Sequence, residues 1–91
     1  MKGFSRRTVE QHPELIGSRV VQARHGGLSR FVHSLAPLPD FGLPRSFCGQ
    51  VMNLLLEDGE LPDRAHCQLC HQRVVSWRAG QPDAAKQGAA A

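Results

Sequence analysis

Four side chains that bind soft or borderline metals fall within six residues of this 91-residue chain: His66, Cys67, Cys70 and His71, in the run His66-Cys67-Gln68-Leu69-Cys70-His71. Two cysteines spaced Cys-x-x-Cys can hold one tetrahedral ion from a single tight turn. The rest of the chain makes such a staple useful. Only 22 of the 91 residues are Leu, Ile, Val or Phe, just above the roughly 20% level below which chains tend to stay disordered. A domain this short buries a small share of its surface, so forming a metal site would add directly to its folding free energy.

Cys48 is the third cysteine. Cys48, Cys67 and Cys70 with His71 make a Cys₃His set for one structural zinc ion, and His66 and His33 are the other histidines that can close it. Only one Cys-x-x-Cys pair is present, so a plainer reading stands beside it, in which the three thiols are small hydrophobes in a core. The run Cys67-Gln68-Leu69-Cys70-His71 also matches the attachment pattern of a c-type haem, with His71 as the axial ligand. A redox dithiol is a further use of the same pair.

The chain carries a net charge of +3, and nine of its eleven basic residues are Arg. The excess lies in residues 1–45. There Arg19, Arg24 and Arg30 are the candidate nucleic-acid contacts, weighed against ordinary solvated charge. An odd number of cysteines leaves one over from any closed disulfide framework. The basic start (Met1 to Arg7) is not followed by an apolar export region. The longest apolar run, Leu54-Leu55-Leu56, is too short to cross a bilayer. These features together predict a cytoplasmic protein with no membrane contact.

Hydrophobic spacing predicts a mostly α fold, a small bundle of three to four short helices over residues 13–78 with a zinc knuckle near 66–71. A flexible tail over 1–12 and a disordered tail over 79–91 flank it. Pro13 suits a first helical position, and Leu15, Ile16, Val20 and Ala23 follow at helical spacing. Leu28, Phe31, Val32 and Leu35 fall at i, i+3, i+4 and i+7. The connector 37–45 holds three prolines, with Phe41 and Leu43 as its expected anchors. Ser46 is a good N-cap for a helix ending at Gly59, and Asp63 can cap another from Arg64 to about Arg78. The alternative is an α+β fold with a hairpin at 20–35, turning on Gly26-Gly27.

The helix expected after Ser46 is apolar on more than one face. That makes Met52 and Leu56 the candidate partner-binding residues, for another protein or for a second copy in a homo-oligomer. No nucleophile elbow, carboxylate pair or phosphate loop is visible. The sequence therefore predicts a small non-enzymatic regulator or adaptor that binds a macromolecular partner, protein ahead of nucleic acid, with zinc as its one cofactor.

Overall fold

Val20 and Val21 are adjacent, and both are fully buried. Neighbouring residues of a strand point to opposite faces, so burial of both marks a strand covered on two sides. That strand, β2 (Arg19–Val21), lies inside a four-stranded antiparallel sheet. The computed structural model describes residues 1–57, 59–60 and 64–81. In chain order it contains β1 (Lys2–Gly3), α1 (Arg6–Gln11), a 3₁₀ turn (Pro13–Leu15), β2, β3 (Ala23–Arg24), β4 (Gly27–Leu28), β5 (His33–Ser34), β6 (Leu54–Leu55) and α2 (Gln68–Ala79). The sheet order is β1-β6-β2-β5, and β3 and β4 form a separate two-stranded ribbon. Val20 pairs with His33 on one side and Leu55 on the other.

The fold is α+β, and this corrects the expected helical bundle. Two α-helices are described, of which only α2, at 12 residues, is long. Three of the expected helices are replaced for identifiable reasons. The segment 13–25 yields a 3₁₀ turn and then β2, because Gly17 takes φ +92° and breaks any helix there. The spacing of Leu28, Phe31, Val32 and Leu35 is not a helical face, since Phe31 is 40% exposed. Instead Gly26 and Gly27, both at positive φ, turn β3 into β4, and β5 returns beside β2. The hairpin alternative over 20–35 fits this arrangement.

The third replacement begins at Ser46. Its N-cap chemistry closes a tight loop instead of opening a helix. The Ser46 Oγ accepts from the Gln50 N–H at 3.3 Å, and the Ser46 N–H donates to the Gln50 carbonyl at 2.8 Å. Short polar side chains can serve either structure, and strand pairing decides here. Arg45 bridges Val51, and the Leu54–Leu55 pair becomes β6. The expected helix from Arg64 to Arg78 is found as α2, starting later.

Val9, Val20, Leu35 and Met52 form the core, with Phe4, Leu15, Ile16, Leu38 and Leu55 packed against it. Residues 1–12, expected as a flexible tail, supply β1, α1 and the buried Val9. The connector 37–45 is anchored by Leu38 and the fully buried Pro44. Phe41 and Leu43, expected to be its anchors, are 89% and 60% exposed. Arg6 fixes the loop from outside, donating to the Gly42 and Asp40 carbonyls at 3.1 and 3.2 Å. Residues 82–91 of the expected C-terminal tail, like Asp58 and Asp63, lie outside the described residues.

Candidate metal centre

β5 is the last strand of the sheet, and its outer edge is occupied by two segments laid end to end. On the first half, the Val32 N–H donates to the Ala65 carbonyl at 3.0 Å, and the Cys67 N–H donates to the Val32 carbonyl at 2.8 Å. On the second half, the Phe47 N–H donates to the Ser34 carbonyl at 3.0 Å, and the Ala36 N–H donates to the Arg45 carbonyl at 3.0 Å. One segment carries Cys67 and leads into Cys70. The other carries Cys48. His33 lies between them. Satisfying the free edge of one strand thus brings four metal-binding side chains together.

The ligand atoms of His33, Cys48, Cys67 and Cys70 all lie within 4.8 Å of one another. His33 Nδ1 is 3.3 Å from Cys48 Sγ and 3.5 Å from Cys70 Sγ. His33 is 3% exposed and Cys70 1% exposed, while Cys48 and Cys67 are half-buried. All three cysteines are free thiols. The four side chains can hold a metal ion.

Each ligand has a local support. Cys48 sits in the Ser46–Gln50 loop, which turns through Gly49 at φ +97°, a conformation that residues with a Cβ rarely adopt. Arg45 Nη1 donates to the Gly49 carbonyl at 2.7 Å and stiffens that turn. Cys67 is the N-cap of α2, and Cys70 follows on its buried side with Val74. Trp77 packs against Phe47, ring centroids 6.0 Å apart, and Arg73 donates to the Phe47 carbonyl at 2.8 Å. Both contacts tie α2 to the Cys48 loop.

The surroundings push the thiols in opposite directions. Burial raises the Cys70 thiol above its ordinary pKa, against the pull of the Ser34 and Cys48 backbone N–H groups and the Ser46 hydroxyl. At Cys48 partial burial also raises the pKa. There the Ser46 hydroxyl, the Gln50 backbone N–H and the neighbouring Cys70 and Cys67 thiols outweigh it and leave the net value lowered. Thiolates, not thiols, react with alkylating agents. In metal-free protein iodoacetamide is expected to label Cys48 well before Cys70, as read by mass spectrometry. Bound metal should protect both. Equal labelling of the two would contradict the geometry described.

Three of the four residues that sequence reasoning assigned to the metal are united: Cys48, Cys67 and Cys70. His71 is not among the clustered side chains. It is exposed on α2, one residue and about 100° of helical rotation beyond Cys70. His33, one of the two other histidines that the sequence offers to close the set, takes its place. Of the basic residues, Arg19 is exposed on β2, and Arg30 stands 5.9 Å from the centroid of the Phe31 ring. Only the backbone of Arg24 is described, in β3. Met52 is 1% exposed and belongs to the core, whereas Leu56 is half-buried, its N–H donating to the Arg19 carbonyl at 3.1 Å.

Fold and site together define a small α+β chain with a His-Cys₃ cluster on the edge of its sheet. No protein-family model, curated protein or solved structure matches it.

Proposed function

We propose that this chain is a zinc-stapled α+β module with a non-enzymatic role, presenting its surface to a macromolecular partner. The convergence of His33, Cys48, Cys67 and Cys70 carries this reading. Thiolate and imidazole donors favour zinc among the common divalent ions. With Zn–S near 2.3 Å and Zn–N near 2.0 Å, a tetrahedral site has donor–donor edges of about 3.5–3.8 Å. The 3.3 and 3.5 Å separations around His33 Nδ1 are close to that, while the cluster as a whole spans up to 4.8 Å and its widest pairs must draw in by about 1 Å to close on one ion. Four protein donors leave no position for a reactive water, which supports a structural ion over a catalytic one. Reduced thiols as ligands suit a reducing compartment such as the cytoplasm. No helix among the described residues is long and apolar enough to cross a membrane.

The haem reading of Cys67, Cys70 and His71 has less support. Cys70 Sγ lies in a buried position against His33, and His71 is exposed beyond the cluster. Partner contact in the favoured reading falls outside the core. Leu56 therefore remains a candidate contact and Met52 does not.

The test compares two histidines. Structural zinc in small folds is held by about 10–16 kcal/mol, so one of four ligands carries roughly 3 kcal/mol, or about 100-fold in affinity. His33→Ala should weaken zinc binding by about that factor in competition with a chromophoric chelator, while His71→Ala should leave it unchanged. The reverse pattern would overturn the assignment.

A further inference from the structure

A cleft of about 630 Å³ opens where α2 meets β2 and β5, and none of the four clustered metal-binding residues lines it. Arg19 enters it from β2 and Ser34 from β5, the two being direct partners across the ladder. His66 comes from the segment before α2, and Gln68, His71 and Arg78 come from α2 itself. Among the described residues the lining thus holds two permanent cations and four further hydrogen-bonding side chains, with no carboxylate. The first turn of α2 has no acidic residue either, so the partial positive charge of that helix end is not offset there.

Arg78 is held in place. Its Nη2 donates to the Gly17 carbonyl at 3.3 Å. It lies across Gly17, where an added Cβ would meet that nitrogen at 3.0 Å. The Arg19 guanidinium has no ion pair or hydrogen bond among the described residues. Two guanidinium groups on one cleft repel each other where, as among the described residues here, no carboxylate lines it, and a shared anion removes that repulsion. A carboxylate offers two oxygens and suits one guanidinium fork. A phosphate group offers more oxygens and more charge, and can accept from both arginines and from the Ser34 hydroxyl or a histidine N–H at once.

We propose that this cleft binds a phosphate group, carried either by a free phosphorylated small molecule or by a nucleic-acid backbone. The inference does not rest on the zinc reading, because Arg19 and Arg78 belong to neither the His-Cys₃ cluster nor its supports. The experiment is calorimetric titration of the full chain, supplied with zinc, with inorganic pyrophosphate and separately with a short oligothymidylate. At least one probe should bind, and Arg19→Gln and Arg78→Gln should each weaken it about tenfold or more. Both variants should keep wild-type metal content; Arg19→Gln should keep the wild-type melting temperature, and Arg78→Gln should lower it by no more than loss of its one hydrogen bond to the Gly17 carbonyl. Saturable binding of pyrophosphate identifies a small-molecule site, and tighter oligonucleotide binding that falls steeply with salt identifies a backbone site. Failure of both probes to bind, or wild-type affinity in both variants, would overturn the proposal whatever the metal content.

Discussion

Replacing Cys67 and Cys70 together by serine is expected to abolish metal retention and leave most of the chain unfolded at room temperature. The core alone is small, with four fully buried hydrophobic side chains at its centre. Domains of this size rarely draw more than about 3–5 kcal/mol from such a core. A structural zinc site is worth more than that. The two thiols also bind the N-terminal end of α2 to the edge of β5. Without them α2 is held by the backbone bonds of Ala65 and Cys67 to Val32, by Val74, by the Phe47–Trp77 contact and by the Arg73 and Arg78 hydrogen bonds. Circular dichroism should show loss of the cooperative melting transition. Chelating the metal from the wild-type chain should produce the same change, and the double variant should be insensitive to chelator. An unaltered melting temperature in the variant would mean that the thiols do not hold the fold together.

Leu35→Ala should be the most damaging single truncation in the core. Leu35 is fully buried, and its backbone joins three parts of the chain. Its N–H donates to the Ser18 carbonyl at 2.9 Å, its carbonyl accepts from the Gly17 N–H at 2.7 Å, and it bridges Ser46 beside the Cys48 loop. The cavity left by such a truncation costs about 2–5 kcal/mol. In a domain this size that corresponds to a fall of roughly 10–30 °C in melting temperature. The metal ligands are untouched, so excess zinc should restore much of the loss by binding the folded state alone. Rescue by zinc separates this variant from the cysteine double variant, which should show none. A fall of only a degree or two would place Leu35 outside the core.

The parts of the structure legible in the sequence are local ones. Cys-x-x-Cys is a local spacing, and it identified two ligands. Cys67, Cys70, Val74 and Trp77 recur at helical intervals, and they lie along α2, where Cys70 and Val74 are buried. The strands are two or three residues long and give no run over which alternation can show. Val20 and Val21 are buried on both faces of a central strand, so period two is lost where it would matter most. Ser46 carries a helix-start signal that the loop beside it uses instead, its hydroxyl accepting from the Gln50 N–H. No local spacing singles His33 out from His66 and His71. His33 is 15 positions from Cys48 and 37 from Cys70, and only the pairing along the edge of β5 brings them together.

On this geometry His33, Cys48, Cys67 and Cys70 jointly hold one zinc ion. X-ray absorption at the zinc edge, combined with metal analysis of protein prepared with zinc present, tests it directly. One zinc per chain is expected, with three sulfur neighbours near 2.3 Å and one nitrogen near 2.0 Å. Metal-free protein, or a shell with two nitrogens and only two sulfurs, would contradict it.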